Sequence, residues 1–206
     1  MKKIQTLALG LIVLATFSCK QAKKEEMKEE ATPAYSIVED STSIHFTAYK
    51  TTEKKPVGGT FTKVNLAYTP SETPMETLNG LEFSIPVSSL FTNDTTNTRD
   101  PKILHFFFGV MDQTEFIKGS FAFDENKKCS VNLSMNGVSA QLPMEYEMTD
   151  DNHVNFTGTM DLNNWNALEA LASLNKACFD LHTGADGVSK TWEDVAIHAS
   201  VLLEKK

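Results

Sequence analysis

The sequence predicts a mainly β domain of antiparallel strands, folded as a barrel or a sandwich. Apolar and polar residues alternate in about eight short runs, and this two-residue period gives a strand one buried face and one wet face. Turn residues separate the runs. Asn136-Gly137 in particular is typical of a two-residue hairpin, because both central positions of that turn need positive φ. A closed barrel would also leave no strand edge exposed.

The predicted strands follow in chain order, with a lysine- and glycine-containing loop between the first two. They cover residues 44–49, 61–68, 81–88, 120–123, 129–135, 138–144, 154–162 and 195–203. Pro143 cannot donate to a strand ladder, so it indicates an edge or a bulge. Gly158 interrupts an apolar strand face, which indicates either space for a ligand or a corner of the barrel.

A first short helix is predicted near 101–105, because Pro101 suits the first turn of a helix. Arg99, the only arginine, and Asp100 precede it. Either their ion pair holds the helix entrance, which is the interpretation we favour, or Arg99 meets a ligand head group. The helix leads into Phe106–Phe108, which carry more aromatic surface than a strand with one wet face can hide. These rings are predicted to plug one end of the barrel.

A second helix is predicted over 165–175, where apolar residues fall at three- and four-residue spacing. Asn163 or Asn164 is placed to cap its start. The segment 182–187 follows, and its histidine, glycines and aspartate resemble a small site. Its glycines suit a turn before the last strand equally well, and we favour the turn.

Composition and motifs exclude several classes of function. The chain has 206 residues, 41% of them hydrophobic, which is typical of a globular protein. A net charge of -8 argues against a nucleic-acid partner, because phosphate binding needs clustered basic residues. The five histidines show no metal-ligand spacing, and no nucleophile elbow or phosphate-binding glycine loop occurs in the sequence. We therefore expect no enzyme, no metal and no cofactor.

The N-terminus predicts export and lipidation. Lys2 and Lys3 precede an apolar run over 7–17, followed by Ser18 and Cys19, so 1–18 is interpreted as a signal peptide. Cys19 then becomes the acylated first residue of a membrane-anchored periplasmic or outer-membrane lipoprotein, although a plain cleaved signal or an uncleaved anchor stays open. Residues 19–34 are predicted to be a flexible tether, and 35–206 the barrel domain.

Three segments carry a resemblance to a known family. Residues 35–64, Thr98-Arg99-Asp100 with the following phenylalanines, and 133–139 resemble the YceI-like family of lipid- and polyisoprenoid-binding proteins. The resemblance implies an extended antiparallel eight-stranded lipocalin-like barrel with two short helices here, an elongated apolar cavity, and a homodimer. The chain departs from the family at Ala140, where many members have a basic residue, and in its longer helix at 165–175.

Two functions from different classes remain open. The first is an envelope lipoprotein that carries or stores a polyisoprenoid, isoprenoid quinone or fatty chain in the barrel; the second is a structural or stress-response envelope protein with a packed barrel. An eight-stranded membrane barrel is a third possibility, but most strands are shorter than the about 9 to 11 residues that it needs, and two helices interrupt them. The predicted ligand-binding residues are Ile44, Phe46, Phe83, Ile85, Val87, Arg99, Phe106, Phe107, Phe121, Phe123, Leu133, Met135, Phe156, Gly158 and Met160.

Two cysteines remain once Cys19 is acylated. Cys129 lies in a predicted strand and Cys178 follows the second predicted helix. An oxidising envelope would permit a disulfide between them, which would close a long loop. Two buried free thiols are the alternative.

Overall fold

Residues 34–206 are described by a computed structural model. The predicted signal peptide, Cys19 and all but the last residue of the predicted tether lie outside the described residues, so these domain boundaries stay predictions. The described strands are β1 Tyr35–Ile37, β2 Ser43–Lys50, β3 Lys55–Phe61, β4 Asn65–Ala67, β5 Glu82–Pro86, β6 Leu90–Phe91, β7 Phe116–Phe123, β8 Cys129–Met135, β9 Val138–Met148, β10 His153–Asp161 and β11 Asp194–Lys205. The α-helices are α1 Pro74–Leu78, α2 Arg99–Phe106, α3 Leu168–Ala177 and α4 Phe179–His182.

The strands form one curled antiparallel sheet in the order β4-β5-β7-β8-β9-β10-β11-β2-β3-β6, and β1 adds to β11. β3 and β4 are halves of one bent strand, as are β5 and β6. β4 pairs with β5 and β3 with β6, and the Thr62 N–H donates to the Ser89 carbonyl at 2.9 Å where both strands bend. With each bent strand counted once, the sheet has eight long strands. The predicted mainly β, lipocalin-like barrel fold is confirmed.

The predicted strand over 61–68 is wrong in its bounds. The glycines assigned to the preceding loop lie inside β3, where Gly59 pairs with Phe46. A Cβ at Gly59 would stand 2.4 Å from the Phe46 ring, so the glycine is needed for that ring to lie across β3. The bend at 62–64 then ends β3, and β4 resumes only at Asn65.

The hairpin between β8 and β9 is confirmed, with φ of 53° at Asn136 and 68° at Gly137. The sequence placed Pro143 at an edge or a bulge, and the structure shows an edge. The β9–β10 ladder ends at the pair Glu145–Thr157, so Pro143 lies beyond its last pair and is locally at an edge. A residue without an N–H costs no ladder hydrogen bond there.

The first helix is longer than predicted, since α2 begins at Arg99. Its entrance is not held by an Arg99–Asp100 ion pair, because none of the ion pairs found within 34–206 involves Arg99. Instead the Asp94 carboxylate accepts the N–H groups of Thr98 and Arg99 at 2.9 and 3.0 Å. Hydrogen bonds, led by the Thr96 hydroxyl, hold the pKa of Asp94 well below its usual range.

The second helix starts later than predicted. Leu162–Trp165 form a separate 3-10 turn, Asn166 is left-handed with a φ of 52°, and α3 begins only at Leu168. Asp161, rather than either predicted asparagine, accepts the N–H of Asn163 at 2.9 Å. The break has a physical reason: the Trp165 side chain is fully buried and its indole N–H donates to the Leu133 carbonyl at 2.8 Å. Two further short helices, α1 and α4, were not predicted.

Of the two arrangements that the sequence left open, the described residues show the free one: Cys129 and Cys178 are buried thiols without a disulfide. Burial raises the pKa of Cys129 to about 11. Because the thiolate is the reactive form, Cys129 should alkylate very slowly in the native protein at pH 8. After denaturation without reductant, both thiols should alkylate fully, as read by peptide mass. Labelling of these two cysteines only after reduction would contradict this arrangement.

Candidate ligand-binding site

The curled sheet encloses an apolar cavity of about 190 Å³. β2 and β11 contribute alternate residues to one wall, and β5, β7 and β8 contribute to the other. Helices α2 and α3 border it with Ile103, Leu171 and Leu174. Only four of its lining residues carry a side-chain N or O atom, namely Thr42, Ser43, Thr191 and Trp192. The cavity is therefore suited to a hydrocarbon and poorly suited to water.

Nine of the predicted ligand-binding residues line this cavity. They lie on β2, β5, β7, β8, β10 and just after α2, and they are Ile44, Phe46, Phe83, Ile85, Phe107, Phe121, Leu133, Met135 and Met160. The predicted aromatic plug is present in part: Phe107 and Phe108 line the cavity, but Phe106 does not. The ring of Phe108 meets that of Phe61, with centroids 6.4 Å apart.

Phe123 and Phe156 belong to a packed aromatic floor beyond the cavity. Phe156 is fully buried, and its ring centroid lies 4.8 Å from that of Phe121 and 6.2 Å from that of Tyr146. The ring of Phe123 packs at right angles on Tyr146 at 5.4 Å. Phe121 connects the two regions, because it lines the cavity and its ring also packs against Phe156 in the floor.

Four more predicted residues also lie outside the lining. Val87 is buried in the 3-10 turn at the bend between β5 and β6. Phe106 packs its ring against His105 at 4.7 Å, at the end of α2. Arg99 lies at the opposite end of that helix. Gly158 has its inner face covered, because a Cβ there would stand 2.5 Å from the Met144 sulfur and 3.0 Å from the Pro143 carbonyl oxygen. The space predicted above this glycine is filled by Met144, which itself lines the cavity.

Sequence reasoning missed several lining residues for which a signal existed. Alternation along the last strand predicts the buried face of β11, but that face was not assigned to the site. Ile103, Leu171 and Leu174 were missed because an apolar stripe on a helix indicates that the stripe is buried, but not which part of the protein it packs against. The missed residues also include Phe61, Leu81, Phe108, Ile117, Val131, Leu142, Met144, Val195, Ile197, Ala199 and Val201.

The polar end of the cavity is formed around Thr191. Its hydroxyl donates to the side-chain amide oxygen Oδ1 of Asn175 at 2.7 Å and lies 2.7 Å from His182 Nδ1. Burial, and then the charges of Lys50 and Lys102, lower the pKa of His182 to about 4, so this imidazole is neutral at pH 7. The predicted turn after His182 is present: Gly184 N–H donates to the Val188 carbonyl at 2.9 Å, and Gly187 has a φ of 78°. A half-buried polar cluster thus precedes an ordinary turn.

No group of three His, Cys, Asp or Glu side chains within residues 34–206 is placed to hold a metal ion. None of the helices described there is long and apolar enough to cross a membrane. The Thr42 hydroxyl borders the cavity and is buried without a hydrogen-bond partner.

Solved structures show the same fold. A polyisoprenoid-binding domain from Saccharophagus degradans, implicated in plant cell wall breakdown, matches with a TM-score of 0.61 at 11% identity, covering 84% of this chain and 99% of that one. BcnA of Burkholderia cenocepacia matches with a TM-score of 0.52 at 12% identity, covering 82% and 99%. No protein-family model and no curated protein matches the sequence. The fold that the resemblance implies is thus confirmed.

Proposed function

We propose that this protein binds a long apolar molecule, such as a polyisoprenoid, isoprenoid quinone or fatty chain, inside its barrel and carries or stores it without chemical change. The observation that supports the proposal most directly is the apolar cavity between the sheet walls. A barrel that served only as a packed scaffold would fill this volume with side chains, since protein interiors are close-packed. The fold shared with a polyisoprenoid-binding domain supports the same class of ligand.

The size of the cavity adds a condition to the proposal. Ligand pockets measure about 300–1,000 Å³, so the cavity of about 190 Å³ must widen to take a long chain. Met135, Met144 and Met160 line it, and unbranched methionine side chains change rotamer more readily than β-branched or aromatic ones. Their rearrangement provides a way to lengthen the cavity while the strands stay in place.

A pair of alanines on β11 tests the proposal. Ala199 lines the cavity and Ala196 lies on the opposite face of the same strand. Ala199→Leu should occupy ligand volume, so native mass spectrometry and lipid extraction of protein purified from its envelope should show a chain lost at least tenfold. Ala196→Leu should retain the chain found in the wild-type protein. The unfolding temperature of both variants is measured in parallel.

The same pair separates the proposal from a packed barrel. Inserting methylenes into a filled core costs about 1–3 kcal/mol, whereas the cavity should accept the new leucine at much smaller cost. A strongly destabilised Ala199→Leu protein, with no chain extracted from the wild type, would favour the structural alternative. A stable variant that still carries its chain would contradict the assignment of this cavity.

The proposed anchor places this carrier at a membrane. If Cys19 is acylated, the wild-type protein should sediment with membranes, and Cys19→Ala should be released or should accumulate as an uncleaved precursor. One acyl chain binds only marginally, so stable attachment needs the several chains of a lipoprotein. Wild-type protein that is processed normally but recovered in the soluble fraction would exclude the anchor. The homodimer that the resemblance implies stays a prediction.

A further inference from the structure

We propose that the polar end of the cavity binds an anionic head group, held by Lys50 and Lys102 beside the Thr191 hydroxyl, so that the preferred ligand is an amphiphile with a negatively charged end. This inference rests on the proposed function, because the chain of the same molecule would occupy the cavity. It replaces Arg99, the alternative head-group residue that the sequence left open, with two lysines that each lie within two residues of a lining residue.

Backbone pairing places this head-group site at the cavity end. Lys50 is the last residue of β2 and forms an isolated bridge with Thr191, two residues after the lining residue Ala48. Lys102 lies in α2 directly before the lining residue Ile103. Two different elements, β2 and α2, thus each supply one lysine within two residues of an apolar lining residue.

The two lysines lack the partners that other lysines in this region have. Lys54 pairs with Asp194 at 2.7 Å, and Lys190 stands 3.6 Å from the centre of the Trp192 ring. None of the ion pairs or cation–π contacts found in residues 34–206 involves Lys50 or Lys102, although both side chains are half-buried. Half-burying two cations without counter-charges is unfavourable, and a bound anion would remove that cost.

The two lysine charges act on the same small region. Both lower the pKa of His182, and both oppose the rise in pKa that burial causes at Cys178. This local positive field occurs in a chain with a net charge of -8. Lysines act as point charges toward phosphate and carboxylate groups.

The test compares ligands that share a chain and differ in the head group. Geranylgeranyl monophosphate and geranylgeraniol are titrated into the purified mature protein at low ionic strength. The phosphate should bind at least tenfold more tightly, and added salt should reduce this preference. Palmitate and hexadecanol form a second pair. A preference confined to the first pair identifies an isoprenyl phosphate, and one confined to the second identifies a fatty acid.

Charge variants assign the preference to this site. The double variant Lys50→Gln, Lys102→Gln should lose the preference, so that it binds the charged ligand and its alcohol with equal affinity. The matched control Lys118→Gln, Lys128→Gln removes two exposed lysines that do not line the cavity and should keep the preference. Arginine at positions 50 and 102 should retain it, and circular dichroism and the unfolding temperature report whether each variant is folded.

The outcomes separate the two proposals. Equal affinity for charged and neutral ligands of both pairs would overturn the head-group site and leave the proposed function standing. A preference that survives in the glutamine variant would also overturn this site. Failure of all four ligands to bind would overturn the proposed function itself.

Discussion

Trp165→Ala is expected to lower the free energy of unfolding by about 3–5 kcal/mol, the cost of truncating a fully buried large aromatic side chain. Trp165 is fully buried, and its indole N–H donates to the carbonyl of Leu133, itself a lining residue of the cavity. The Asn136 side-chain amide in turn donates to the Trp165 carbonyl at 2.9 Å. Trp165 therefore links the β8–β9 hairpin to the turn before α3.

Urea denaturation of matched variants separates the contributions at this position. Trp165→Phe keeps most of the apolar volume but removes the N–H, so it should cost about 1–3 kcal/mol, the range for leaving a buried acceptor without its donor. Leu168→Ala, at a side chain that is 42% exposed three residues later, should change stability by no more than about 0.5 kcal/mol. A Trp165→Ala protein within about 1 kcal/mol of the wild type would show that this tryptophan does not hold the hairpin.

Gly158→Leu is expected to destabilise the barrel by at least about 1–3 kcal/mol, because the new side chain would overlap the Met144 sulfur and press on the Pro143 carbonyl. The sulfur belongs to a flexible side chain and can move, whereas the carbonyl is backbone and cannot move without shifting β9. Met144→Ala in the same protein should therefore restore part, but not all, of the lost stability. Thermal unfolding measures both effects.

A second glycine provides the control for this prediction. At Gly58 an added Cβ would meet only the Phe46 carbonyl oxygen, at 3.9 Å. Gly58→Ala should thus be tolerated, while Gly158→Ala should already cost stability. Equal unfolding temperatures for the two alanine variants would show that β9 and β10 can move apart at Gly158 without loss of stability.

Features set by neighbouring residues could be predicted from the sequence. The hairpin at Asn136-Gly137 depends only on the conformations that these two residues allow, and alternation over 129–135 depends only on which face is buried. The two bends, at 62–64 and Val87–Ser89, could not be predicted in this way. They exist because one bent strand pairs with the other across the barrel, and no local pattern records that pairing.

A periodic pattern shows which residues point inward, but not which of them line the cavity and which are packed in the floor. Phe121 and Phe156 both occupy inward positions on their strands, yet one lines the cavity and the other is packed beneath it. Which of them meets a ligand depends on the volumes of residues from other strands. In the same way, the alternation that placed Gly158 on an apolar face could not show that Met144 covers it from β9.

The position of β11 in the sheet has a consequence for folding. β11 pairs with β10, β2 and β1, so strands from the two ends of the described chain become neighbours only when residues 194–205 are in place. Contacts this distant in sequence form slowly, because the entropy of closing the loop is lost before the contact is gained. During synthesis or export, the inward face of β2, with Ile44 and Phe46, is made early and meets β11 only at the end. This wall of the cavity is therefore among the apolar surfaces of residues 34–206 that the growing chain exposes for the longest time.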